Sequence, residues 1–189
     1  FPQQAGAAMM ASMLQRQLNC VATTSMGRYF DAAAGLLGVS ELQNYEGQAA
    51  MLLEGLAERH GNVAALAEGY VLTADKHLNF LPLLAALADC KEAAYGAALF
   101  HATLAQGLGE WVWRVARRCG IKYVALGGGC FLNSLLTQAL TEGLSAKGLN
   151  VLTAQQLPPN DGAISLGQAS ITMLQMSQFT ALAMPEGDN

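Results

Sequence analysis

The sequence predicts a helix-rich α/β protein. Two observations carry this. Residues 91–176 read as helix, strand, helix, strand, helix, the pattern of parallel strands joined by helices and covered on both faces. Residues before 91 read mainly as helix. The chain has 189 residues, of which 52% are hydrophobic and 13% charged. That composition supplies a buried core and excludes a chain kept disordered by low hydrophobicity. The length suits one domain or two small lobes. The expected division is a helical part at 1–90, an α/β core at 91–184 and a loose tail, PEGDN, at 185–189.

Taken in order, Met26, Tyr29, Phe30, Ala33 and Leu37 recur at i, i+3, i+4, i+7 and i+11, one face of a helix, and Gly38 closes it. Residues 46–59 form a second helix with Ala50, Leu53, Leu56 and Ala57 inward. Tyr70–Thr73 is a short strand and His77–Phe80 a weaker one. Pro82 opens a short helix that runs through Leu87. A long helix follows over 91–118, with Leu104, Leu108, Trp111, Val112, Val115 and Cys119 as its apolar stripe and Gly120 as its stop. Ile121–Leu126 is expected as a buried strand, broken by Gly127, Gly128 and Gly129. Leu132, Leu135, Leu136, Ala139, Leu140 and Leu144 mark the next helix, which Gly148 ends. Val151 and Leu152 begin another strand, and Ala163–Met176 is the last helix.

Composition also excludes. The net charge of −4 leaves no basic face for duplex nucleic acid, so no nucleic-acid partner is expected. Arg114, Arg117, Arg118 and Lys122 read as a solvated helix end complementing the dipole. Cys20, Cys90, Cys119 and Cys130 form no CxxC pair, which rules out a zinc finger and fits a reducing cytoplasm. No apolar run is long enough for a transmembrane helix. FPQQAG, without Met or a basic stretch, is no signal peptide and reads as an internal start.

Several places can carry chemistry. LGGGCFLN (126–133) puts three glycines between a strand and a helix, where backbone can approach a ligand and helix N–H groups face it. A tight turn is the plain alternative, and the spacing matches neither a Walker A loop nor GxGxxG. Asp31 lies off its helix's apolar stripe beside Gly27, Ala34 and Gly38, either a surface carboxylate or one open to a sugar hydroxyl pair. In YEGQ (45–48), Glu46 suits an acidic first turn, which leaves Gly47 unexplained. His101 sits mid-helix, the usual place of a satisfied core histidine. Asp161, before Gly162 at a helix start, is a natural N-cap. His60 and His77 have no ligand spacing, and neither a complete metal site nor a GxSxG elbow is present.

Together these stretches match a known family. QLNCVATTSMGRYFDAAAGLLG, YEGQAAMLLE, FHATLAQGL, VALGGGCFLN and LPPNDGAISLGQA occur in the order and spacing of the C-terminal part of HypF-type carbamoyltransferases, which serve nickel-iron hydrogenase maturation. The resemblance covers residues 16–176. It implies a module similar to the Kae1/YgjD proteins, that is, one RNase H-like lobe of the actin-like ATPase (ASKHA) superfamily with a helical insertion. It further implies conversion of carbamoyl phosphate and ATP into carbamoyl-adenylate, and transfer of the carbamoyl group to the C-terminal cysteine of a partner, HypE. Cytoplasmic location and a divalent cofactor (magnesium, zinc or iron) go with it.

Residue by residue, the resemblance assigns nucleotide binding to Gly127, Gly128, Gly129 and Asn133, with Asp31, Glu46 and Gly47 toward ribose and adenine. It assigns Asp161 to the metal near the phosphates. His101 matches a family histidine and is the one candidate for a catalytic role. The chain departs from the family at Gly127, Cys130 and Leu132, within a stretch that usually reads Ser-Gly-Gly-Val-Phe-Gln-Asn, and at Ala163, where the glycine that ends Asp-Gly-Gly is usual. The family's acylphosphatase domain, zinc-finger segment and first lobe, with its metal-binding histidine pair, are not in this sequence. The chain alone is therefore expected to be inactive, because a water-poor cleft protecting an acyl-adenylate needs both lobes. Two competing readings are a threonylcarbamoyl-adenylate enzyme of tRNA modification and a non-enzymatic helical interaction module.

Overall fold

The computed structural model describes residues 4–183. Its organising element is the long helix α5 (Ala93–Cys119), about 40 Å of axis at 1.5 Å per residue. Glu92 caps it by accepting from the Tyr95 N–H at 3.2 Å, and Gly120, left-handed at φ +68°, ends it. Between Gly96 and Ala105 almost every residue is buried, so this helix is surrounded rather than amphipathic. It carries small residues where neighbours come close. A Cβ on Gly107 would stand 2.7 Å from the Phe80 ring.

Before α5 come α1 (Ala7–Gln15), α2 (Met26–Leu36), α3 (Gln48–His60), the two-residue strands β1 (Val71–Leu72) and β2 (Leu78–Asn79), and α4 (Leu81–Ala88). β1 and β2 pair antiparallel. The α2 periodicity works as expected: Phe30 and Ala33 are buried and Met26, Tyr29 and Leu37 pack against them. On α3 the buried line is Ala49, Leu53 and Ala57, with Ala50 and Leu56 half-buried beside it. The core is continuous across residue 90. Phe30, Leu53, Phe80 and Leu83 meet Phe100, Leu104, Leu136 and Leu140, and Phe30 stands edge-on to Phe100 with centroids 5.0 Å apart.

After α5 come β3 (Tyr123–Leu126), a four-residue 3-10 turn (Gly129–Leu132), α6 (Ser134–Ala146), β4 (Asn150–Thr153), a second 3-10 turn (Asp161–Ala163) and α7 (Ile164–Ala183). β3 and β4 are parallel, in register from Tyr123 opposite Asn150 to Leu126 opposite Thr153. The helix–strand alternation is therefore as the sequence predicts.

Four expectations are corrected. The strand is not buried on both faces: Leu126 points inward, but Tyr123 and Leu152 are 65% and 53% exposed. Strand geometry begins at Tyr123 because the Ile121 N–H is spent on the Ala116 carbonyl at 2.9 Å, closing α5. On α5, Trp111 and Cys119 are exposed and Ala116 takes the inward place, while the Trp111 indole donates to the Lys76 carbonyl at 2.8 Å. The last helix opens with a 3-10 turn at 161–163 and becomes α-helical only at Ile164. The tail at 185–189 lies outside the described residues. All four cysteines are free, and no helix among the described residues is long and apolar enough to cross a membrane.

Candidate functional site

The site is built at the carboxyl ends of β3 and β4, where open α/β folds place their ligands. Leaving β3, the chain passes Gly127 to Gly128, whose φ of +110° and ψ of 161° belong to a region that is essentially glycine-only. That conformation turns the Gly128 N–H onto the Pro159 carbonyl at 2.7 Å. One backbone bond thus joins the glycine turn to the corner that holds Asp161. A Cβ built on Gly127, Gly128 or Gly129 meets nothing within 4 Å, so the turn is open above all three. A small cavity of about 80 Å³ lies beside it, lined by Leu126, Phe131, Thr137, Thr153 and Pro159. The larger cavity, about 190 Å³ between Lys76, Trp111 and Arg118, sits near the far end of α5 and touches none of these residues.

Asp161 is not the cap that the Asp-Gly pair predicts. Asn160 takes that place, its Oδ1 accepting from the Gly162 N–H at 3.2 Å. Asp161 heads the 3-10 turn with an exposed carboxylate. Both residues suit a cap by type, and the Asn160 backbone, extended at φ −93°, decides between them.

Asp31 stands beside the glycine turn. α2 touches the 129–132 turn, and the Asp31 charge, together with the larger effect of burial, pushes the Cys130 thiol above its usual pKa. Gln43 donates to Asp31 Oδ1 at 2.8 Å. Oδ2, closed to solvent, lies 2.7 Å from Arg28 Nη2 in an ion pair without hydrogen-bond alignment. Of the small residues expected to leave an open face around Asp31, Ala34 is fully buried, Gly27 is half-buried and Gly38 is exposed. The carboxylate is half-buried and held in place. Arg28 is largely exposed, so moving it aside for a ligand costs no more than a surface ion pair, about 1 kcal/mol or less.

Gly47 is left-handed at φ +82° and precedes α3, with Glu46 exposed before it. Gln43 links this corner to Asp31, since its Oε1 accepts from the Ala49 N–H at 3.3 Å. The glycine turn, the Asp161 corner, Asp31 and the Gly47 corner are therefore neighbours connected by short links. Sequence reasoning passed over Gln43, whose place five residues before a helix gave its only signal. It also passed over Glu54, which accepts from both the N–H and the hydroxyl of Ser134 at 2.6 Å and so closes the first turn of α6.

His101 and Asn133 lie behind the turn, each only 5% exposed. Burial, the main effect, pushes the His101 pKa below its usual value, against opposing pulls from the Ala97 carbonyl and from Glu54 and Glu58. The Asn133 side chain serves as the N-cap of α6, accepting from the Leu136 N–H at 2.9 Å. Among the described residues no three His, Cys, Asp or Glu side chains cluster as metal ligands. Asp161 offers a single carboxylate, which fits a cation only as one ligand of several.

The family model described as "Carbamoyltransferase, Kae1-like Domain, second subdomain" matches residues 1–168. The chain belongs to the HypF carbamoyltransferase family. Carbamoyltransferase HypF2 of Cupriavidus necator is 46% identical over 92% of this chain and 25% of its own length. Carbamoyltransferase HypF of Rhizobium leguminosarum bv. viciae is 40% identical over 89% of the chain and 22% of its own. A crystal structure of full-length HypF in a phosphate- and nucleotide-bound form superposes with a TM-score of 0.76 at 34% identity, covering 87% of this chain and 22% of that one. The chain thus spans about a quarter of the length of each of these three proteins.

Proposed function

We propose that this chain carries the nucleotide-facing part of an ATP-dependent carbamoyltransferase. The complete protein would convert carbamoyl phosphate and ATP into carbamoyl-adenylate and pass the carbamoyl group to the C-terminal cysteine of a HypE-type acceptor, in hydrogenase maturation. The observation that carries this reading is the Gly128–Pro159 bond, which joins the open glycine turn and the Asp161 corner at the ends of two parallel strands. It sits within a chain of the HypF family, one member of which has a nucleotide-bound structure.

In this reading the roles implied by the family resemblance are supported by the geometry as follows. Phosphate oxygens approach the backbone of Gly127–Gly129, where no side chain stands in the way. Asp31, fixed by Gln43, accepts from ribose hydroxyls once Arg28 swings out, and the Gly47 corner receives the base. Asp161, free of capping duty, holds a divalent cation together with ligands from elsewhere in the longer protein. Such a cation supplies charge neutralisation for the departing phosphates. The ASKHA assignment, with its facing lobe, belongs to this proposal, as do cytoplasmic location and the inactivity of the chain alone.

Thermal shift of the intact protein with ATP and Mg²⁺ tests the reading. ATP should raise the melting temperature of wild type and leave Asp31→Ala unmoved. An ATP-blind wild type would sink the nucleotide reading and favour an interaction module.

A further inference from the structure

His101 has a geometry that a core histidine does not need. Its ring stands edge-on to Phe30 and Phe100, 5.7 and 5.5 Å between centroids, in a core whose other buried polar side chains among the described residues are Thr103 and Asn133. Nδ1 lies 2.8 Å from the Ala97 carbonyl and Nε2 lies 3.0 Å from Asn133 Nδ2. A carbonyl only accepts, so Nδ1 carries the proton. Neutral imidazole then has an unprotonated Nε2, which only accepts. Asn133 must therefore turn its NH₂ toward His101 and its oxygen toward the Leu136 N–H, 2.9 Å away. The Ala97 carbonyl at one end and the Leu136 N–H at the other thus impose the same direction on every bond along the chain Ala97, His101, Asn133, Leu136.

Asn133 is the hinge between the 129–132 turn and α6. Its N–H donates to the Cys130 carbonyl at 3.2 Å and its carbonyl accepts from the Thr137 N–H at 3.1 Å. The Thr137 hydroxyl in turn donates to the Phe131 carbonyl at 3.0 Å. A reversed Asn133 amide would set NH₂ against the Leu136 N–H, donor against donor, and release this turn. A leucine or phenylalanine could fill the His101 space but could not accept from the Asn133 NH₂, which would be left buried without its partner. His101 lines neither of the two cavities described above.

We infer that His101 is a positioning residue: through Asn133 it fixes the glycine turn in its ligand-ready shape, and it does not touch the reacting atoms. This rests on the nucleotide reading above for its consequence, though not for its geometry.

Two conservative variants separate the bonds. In His101→Gln the side-chain oxygen reaches the place of Nε2 and still accepts from Asn133. In His101→Asn the amide still donates to Ala97 but stops short of Asn133. Intact protein carrying each change is compared with wild type by hydrogen exchange of the 127–137 segment and by ATP titration with Mg²⁺. Exchange should speed up in His101→Asn and stay near wild type in His101→Gln. ATP affinity should fall on the order of tenfold in His101→Asn, about 1.4 kcal/mol, and little in His101→Gln. Melting temperatures should drop alike in both, since each loses one buried bond. Equal exchange in the two variants would overturn the proposal, whether or not ATP binds. A wild type that ignores ATP while the exchange pattern holds would refute the nucleotide reading and leave the positioning role standing.

Discussion

Replacing Gly129 by alanine should leave the fold intact while closing the site, and replacing Gly128 should damage both. Neither added Cβ meets an atom within 4 Å, so collision plays no part in either case. The difference is in the backbone. Gly129 lies at an ordinary negative φ, and alanine there restricts the unfolded chain, which changes stability by about 0.4–1 kcal/mol in the favourable direction. Gly128 at φ +110° and ψ 161° forces alanine into a region that costs of order 1–3 kcal/mol. The two variants should therefore differ by roughly 1.4–4 kcal/mol in unfolding free energy. Urea unfolding of the chain, followed by fluorescence of Trp111 and Trp113, reads this as midpoints separated at equal slope. ATP titration of the intact protein should then show loss of binding in both, because a methyl group occupies the space above the turn. Gly129→Ala unfolding more than about 1 kcal/mol early, or binding ATP as wild type does, would refute the reasoning.

Three further outcomes follow from the same geometry. Because burial lowers the His101 pKa, the unfolded chain takes up its proton first. This contribution to stability is complete above about pH 6.5 and is lost as pH falls from there through the lowered folded value, with Glu54 and Glu58 moderating the loss. Denaturation midpoints across pH 5–8 should show that dependence, flattened in His101→Gln. Glu54→Ala should cost about 1–3 kcal/mol in chemical denaturation, because it removes two bonds to Ser134 at the start of α6, and Glu54→Gln should cost less. Asp161→Ala should unfold like wild type yet lose any divalent-ion dependence of ATP binding, whereas Asn160→Ala, which removes the cap, should cost about 1 kcal/mol by melting.

Much of this architecture is legible in the order of residues. Periodicity alone finds α2, α3, α5 and α6, and the glycines at 38, 120 and 148 mark real stops, each with positive φ. What periodicity misreads is exposure. Ile121, Tyr123 and Ala125 are as apolar as Leu126, so the strand looks buried on both sides, although only one side meets α-helical cover. The wide apolar stripe of α5 likewise hides that Ala116 and not Trp111 turns inward. Within the site, residue types were legible but partners were not. His101 and Asn133 are 32 positions apart and Glu54 and Ser134 are 80 apart, distances at which no local pattern operates. Asn160 and Asp161 are adjacent and chemically alike as caps, so backbone dihedrals alone separate them.

The link between Gly128 and Pro159 runs from main chain to main chain. Only the conformation at Gly128 is sequence-bound. Its acceptor is a carbonyl that every residue type possesses, and proline offers it while donating nothing in competition. Side-chain drift at Gly127, Cys130 or Ala163 can therefore retune what the corner holds without unfastening it. Such a joint leaves no trace in a comparison of side chains, which makes it a place where divergent sequences keep a common geometry.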